Sequence, residues 1–150
     1  MAQEEKELLI RDICGRLPYG VKVQIDFGEY CIKYGIDRYI DDTVICVYPE
    51  TFEIGVNNED QACDIEDVKP YLRPMSSMTE EEREEIKEIC ADYLDEWENA
   101  ETVVDRWKLD AKASYLRSKF YNSHHFDWNG LIDKGLALEA PDGMYSTKTK

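Results

Sequence analysis

Val21-Lys22-Val23-Gln24-Ile25-Asp26-Phe27 sets apolar residues at every second position with polar ones between, and this alternation decides the fold class. A period of two marks a strand with one buried face. Gly28-Glu29 follows, and a glycine at the first loop position suits a tight type II′ hairpin turn. Tyr30, Ile32, Tyr34 and Ile36 then alternate around Lys33, so a second strand is expected. A polar link over residues 37–42 leads into Thr43-Val44-Ile45-Cys46-Val47-Tyr48, apolar on both parities as a strand covered on both faces would be. Pro49-Glu50 turns the chain, Phe52, Ile54 and Val56 give a fourth alternating run, and Asn57-Asn58-Glu59-Asp60 ends it. Four successive strands with short links predict an antiparallel meander.

Helical periodicity lies on both sides of this region. Over residues 3–17, Leu9, Ile10, Ile13, Cys14 and Leu17 recur at helical spacing, with Glu4, Glu5, Lys6, Arg11 and Asp12 mostly opposite. Pro18 with Gly20 stops that helix. Residues 61–78 read as a connection in which Asp64 caps one helical turn, while Pro70 and Pro74 break any longer helix. Thr79 with Glu82 makes a capping box, and Ile86, Ile89, Cys90, Tyr93, Leu94 and Trp97 continue as one apolar stripe. Residues 99–108 fit either a helix extension or a bent link. A further helix is expected from Asp110 as cap to Tyr121, and a short one over residues 127–134 with Gly135 in the left-handed C-terminal position. Leu136 and Leu138 fit a brief extended segment, and residues 146–150 a frayed tail. The expected architecture is one α+β domain over residues 1–150: an N-terminal helix, a four-stranded antiparallel meander, and three C-terminal helices packed on it.

Charge is the unusual feature of the composition. Thirty-three acidic against 18 basic side chains give a formal net charge of -15 over 150 residues. Such a chain repels phosphate backbones and anionic membranes, so neither nucleic acid nor membrane is an expected partner; a cationic protein surface is. The five cysteines, Cys14, Cys31, Cys46, Cys63 and Cys90, are odd in number and form no Cys-x-x-Cys pair, against both a disulfide framework and a zinc site. The start, Met1-Ala2-Gln3-Glu4-Glu5, is acidic and no apolar run long enough for a membrane span follows, so a reducing cytoplasm is expected.

Three constellations are candidates for function. Glu81, Glu84, Glu85, Glu88, Asp92, Asp95 and Glu96 line the outer face of the helix that begins after Thr79, a surface suited to a basic groove on a partner protein or simply to solvent. His124-His125 near Asp127 could serve acid–base chemistry with a carboxylate or cysteine, but a loop histidine closing hydrogen bonds between helices is the plainer role. A metal there would need remote ligands such as Asp105 or Glu139, which no spacing selects, so neither metal nor cofactor is expected. The helices expected over residues 110–121 and 127–134, joined by a short turn, could form a helix-turn-helix with Lys112, Arg117 and Lys119 on the first and Arg106 and Lys108 near it, although ion pairs with the acidic helix account for these basic residues more simply. Glycine-rich phosphate loops, nucleophile elbows and zinc-protease motifs are absent from the sequence.

Two stretches carry a resemblance: residues 65–82, Ile-Glu-Asp-Val-Lys-Pro-Tyr-Leu-Arg-Pro-Met-Ser-Ser-Met-Thr-Glu-Glu-Glu, and residues 125–145, which include His125-Phe126-Asp127-Trp128-Asn129-Gly130-Leu131-Ile132. The chain resembles small proteins without assigned activity encoded by phages, prophages and other mobile elements of gut anaerobic bacteria. Tyr-Arg is frequent in that family where Trp128-Asn129 stands here, and the resemblance transfers no functional residue. It implies a setting, a mobile-element accessory protein in a bacterial cytoplasm. The leading expectation is therefore a non-catalytic protein that binds a host or phage protein through its acidic surface. A small enzyme using His124 or His125 is the alternative, and a nucleic-acid module the next.

Overall fold

The computed structural model describes residues 1–145; the expected frayed tail lies outside them. Helix α1 spans Gln3–Arg16, and a 3₁₀ turn, Leu17–Tyr19, ends at Gly20. Strands β1 (Lys22–Asp26), β2 (Tyr39–Tyr48), β3 (Glu53–Val56) and β4 (Cys63–Asp64) follow in antiparallel succession. Strand β5 (Val68–Leu72) pairs antiparallel with the free edge of β1, and β6 (Leu138–Glu139) joins β5 in parallel. The sheet is thus six-stranded and mixed, ordered β4-β3-β2-β1-β5-β6. Between β5 and β6 come two helices, α3 (Glu80–Glu98) and α4 (Val103–Ser123).

One sheet face is buried and the other open. Leu9, Ile10 and Ile13 of α1 share a core with Val23, Ile25, Val44, Ile54, Val56, Val68 and Leu72 from the strands, closed at the end by Leu131 and Leu136. Each fully buried Val, Leu or Ile contributes roughly 1.5–3 kcal/mol over its exposed state. On the opposite face Tyr39, Ile45 and Tyr48 are exposed. The segment 43–48 is therefore not covered on both sides. The β2–β3 register shifts between Val44 and Cys46, and the extra residue of this bulge, Ile45, points to solvent.

The expected second strand is a loop and a short helix. Tyr30–Lys33 form α2, and Tyr30, Ile32, Tyr34 and Ile36 are 54 to 68% exposed. The cause is Asp26. Its carboxylate accepts the Gly28 amide at 2.9 Å and the Arg38 guanidinium at 2.7 and 3.0 Å, so the hairpin closes where the Phe27 amide meets the Arg38 carbonyl. Everything between is left outside the ladder, and of its side chains Cys31 alone is buried. Strand β2 then takes in Asp41 and Asp42 from the expected polar link. Buried Asp42 is satisfied by the Thr43 amide and by the amide and side chain of Asn58, at 2.7, 2.9 and 3.1 Å.

Strand β5 contains Pro70, opposite Val23, a residue with no N–H for the ladder, which is why the segment reads as a connection. Asp64 does cap a turn there, accepting the Glu66 amide at 2.9 Å. Among the described residues the C-terminal region holds two helices, not three. Thr102 caps α4, its hydroxyl accepting the Asp105 amide at 3.1 Å, and Asp110 lies inside the helix. Residues 127–134 form turns, because the Asp127 carboxylate captures the Leu131 and Ile132 amides at 2.7 and 2.9 Å and Gly130 is left-handed at φ +71°. Without that helix the expected helix-turn-helix over residues 110–134 is not formed. Nor do α3 and α4 spread over the sheet: they pack on each other, and neither supplies a side chain to the main core.

Candidate functional site

The base of the α3–α4 hairpin is held by Arg73, directly after β5. Its two terminal nitrogens donate to the two Glu82 oxygens at 2.8 Å each, and its guanidinium lies 4.2 Å over the Phe126 ring. Glu82 also completes the capping box: it accepts the Thr79 amide at 2.9 Å while its own amide donates to the Thr79 hydroxyl at 3.2 Å. The Arg73 amide donates to the His125 carbonyl at 2.7 Å, and the Asp127 amide to the Arg73 carbonyl at 2.8 Å. One arginine thus ties the start of α3 and the exit from α4 to the sheet. Burial alone would raise the Glu82 carboxyl, but hydrogen bonds from Arg73 and the Thr79 amide, with the Arg73 charge, hold it down at about 2.

Beneath this clasp lies a buried pair. Asp12 and Arg16 have side chains 0% exposed, bonded Nε–Oδ2 at 2.8 Å and Nη2–Oδ1 at 3.1 Å. Arg16 also donates to the Phe126 carbonyl at 2.6 Å, and Asn129 donates to Asp12 at 2.8 Å. Asp12 is therefore on the inner side of α1, not the outer. The available signal was spacing: Leu9, Asp12, Ile13 and Arg16 stand at i, i+3, i+4 and i+7, on one stripe.

The histidines do different things. His124 caps the end of α4: its Nδ1 lies 2.9 Å from the Phe120 carbonyl of the same helix, and its Nε2 is 3.9 Å from both Glu82 and Glu85 of α3, so it closes no hydrogen bond between helices. His125 is buried, left-handed at φ +60°, and stacked 3.7 Å from the Tyr145 ring. Tyr145 in turn donates to the Tyr71 carbonyl at 2.8 Å. Burial, with the nearby Arg16 charge, pulls His125 down to about 4, although a hydrogen bond to the Tyr19 backbone works the other way.

A pH dependence follows from His125. A histidine whose folded pKa lies below its unfolded value of about 6.5 takes up protons more readily when unfolded, so stability falls as pH drops from about 6.5 to about 4. Urea midpoints measured across that window are expected to decline by about 3 kcal/mol of stability. His125→Asn, which tolerates positive φ, is expected to flatten the decline; an unchanged slope would assign it to other groups.

The clefts do not gather these groups. An open cleft of about 510 Å³ is lined by Asp26, Glu59, Asp60, Asp64 and Asp67 among others, and a smaller one of about 210 Å³ by Arg73, Thr79 and Tyr145. Neither is lined by His124 or His125. Among the described residues no group of three or more His, Cys, Asp or Glu is placed to hold a metal ion. The cysteines are all free, and burial pushes the Cys14 and Cys63 thiols up, away from the thiolate a nucleophile needs.

The acidic face is exposed along α3. Helix α3 carries ten carboxylates against Arg83 and Lys87, and its one buried residue is Glu82. Glu81, Glu84, Glu85, Glu88, Asp92, Asp95 and Glu96 are all exposed. Of these seven, Glu84 pairs with Lys87 at 3.2 Å and Glu85 lies near His124; among the described residues the others have no cation within ion-pair distance. The expected pairing with the basic residues of α4 is not made. Arg106 instead covers the Trp97 ring at 4.7 Å, and Tyr93 bonds Asp110. At the far end of the hairpin Leu94, Val103, Val104 and Trp107 are 52 to 65% exposed. No helix among the described residues is long and apolar enough to cross a membrane. In comparisons with protein-family models, curated proteins and solved structures, none matches this chain.

Proposed function

We propose that the chain is a non-catalytic interaction protein whose α3 face engages a basic surface on another protein, as an accessory factor of a phage or mobile element in a bacterial cytoplasm. The observation that carries this reading is that, among the described residues, no cation pairs with Glu81, Glu88, Asp92, Asp95 or Glu96, on a helix outside the core. Carboxylates left uncompensated beside an apolar tip set up the two ingredients of recognition: a field that steers a cationic partner, and a patch for it to bury. The sheet and α1 act as the rigid mount, and Arg73 fixes the angle of the hairpin.

Affinity capture from a bacterial lysate tests this. The wild-type chain is expected to retain a basic protein at low ionic strength and release it as salt screens the field. The Glu81→Lys, Glu88→Lys, Asp95→Lys variant is expected to lose at least tenfold of the captured amount. Equal capture by both chains, or none by either, sinks the reading.

A further inference from the structure

The two sides of the α3–α4 hairpin differ, and one of them is complementary to itself. The helices run antiparallel, with Tyr93 level with Asp110 and Trp97 level with Arg106. Continuing this register sets Lys108 level with Glu96, Lys112 with Asp92, and Lys119 with Glu85. Shallow grooves place the first two pairs on one side of the hairpin, Glu96 with Lys108 and Asp92 with Lys112. The groove floor holds Ile89, Leu109 and Leu116, all half-buried. Yet the ion pairs on the hairpin are Glu80–Arg83, Glu84–Lys87, Arg73–Glu82 and those of His124; none joins these lysines to α3. An acidic rail and a basic rail therefore lie side by side, not paired with each other, over an apolar floor.

We propose that a second copy of this chain docks on that side, α3 of each copy lying along α4 of the other to build a four-helix bundle. A two-fold rotation about an axis parallel to the helices lays each acidic rail over a basic one, so Lys108, Lys112 and Lys119 meet Glu96, Asp92 and Glu85 of the second copy. Such an isologous contact closes after two chains. It also completes a packing unit that two helices alone leave half open, since a stripe such as Ile86, Ile89, Tyr93 and Trp97 stays only partly buried in a lone hairpin. The proposal rests on the reading of the hairpin as an interaction element, and it names one occupant for it.

The test is mass by light scattering after gel filtration, at ~50 and ~500 mM salt. The wild type is expected to run at twice the 17.5 kDa of one chain at the lower salt. Lys108→Glu, Lys112→Glu, Lys119→Glu and, separately, Glu85→Lys, Asp92→Lys, Glu96→Lys should each be monomeric with unchanged circular dichroism. An equimolar mixture of the two variants should restore the doubled mass, because each acidic rail again finds a basic one. A monomeric wild type at the lower salt, a dimer that survives either reversal, or a mixture that stays apart overturns the proposal. The lysine variant keeps the α3 carboxylates, so capture of a foreign basic protein by it would uphold the proposed function whichever way the mass measurement falls.

Discussion

Asp12→Ala is expected to lower global stability by about 3–5 kcal/mol, a large share of the roughly 5–15 kcal/mol typical of a domain. The size comes from what remains. Arg16 is wholly buried, its Nη1 already lacks a partner, and after the substitution only the Phe126 carbonyl and whatever water enters would face the charge. Attraction between the two charges is not the main quantity here; the cost is that of an uncompensated guanidinium in a low-dielectric interior. The control therefore has the opposite outcome. Asp12→Leu combined with Arg16→Met removes both charges and is expected to recover most of the loss, because the site lies against the apolar core. Urea titrations of the two variants decide it. A loss below about 1 kcal/mol for Asp12→Ala would mean that solvent reaches Arg16.

Glu82→Ala is expected to cost a comparable amount, about 3–5 kcal/mol, but to spend it locally. It removes both bonds to Arg73 and half of the capping box, and Arg73 is left half-enclosed between Phe126 and the Ser77 carbonyl. Since α3 and α4 add nothing to the main core, their amides should exchange with solvent far faster in the variant while those of β1, β2 and β5 keep their protection. Glu82→Gln retains an acceptor for the Thr79 amide and should fall between. Uniform loss of protection across sheet and hairpin would show instead that the two open as one unit. Acid acts in the same direction: the Glu82 carboxyl is held at about 2, so its contribution is present above the ordinary range for glutamate and is lost as pH falls toward 2.

Strand and helix periodicity made the leading helix, β1, β3 and α3 legible, together with the Thr79 capping box. What stayed hidden depended on side chains acting across the chain. Alternation over Tyr30 to Ile36 imitates a strand, yet Asp26 and Arg38 close the hairpin before it and leave those side chains outside. Pro70 masks β5, whose partners come from β1, far back in sequence, and from β6, far ahead. Asp127 satisfies the amides of a would-be third helix by itself. The acidic face could be read directly, because exposed charges on a helix follow from periodicity alone. The buried Asp12–Arg16 pair escapes a reading that sets Asp12 on the outer side of α1 with the other charges, although the spacing of both residues places them among Leu9 and Ile13.

The parallel pairing of β5 with β6 has one more consequence. Both α3 and α4 fall inside the single connection between those strands, and Arg73 receives the chain where it leaves the sheet and again where it returns. Departure and re-entry points are therefore neighbours whatever lies between them. The paired helices behave as a cassette: whole turns can be gained or trimmed near residues 99–102 while strand alignment stays as it is, which lets reach and outer chemistry diverge without renegotiating the scaffold.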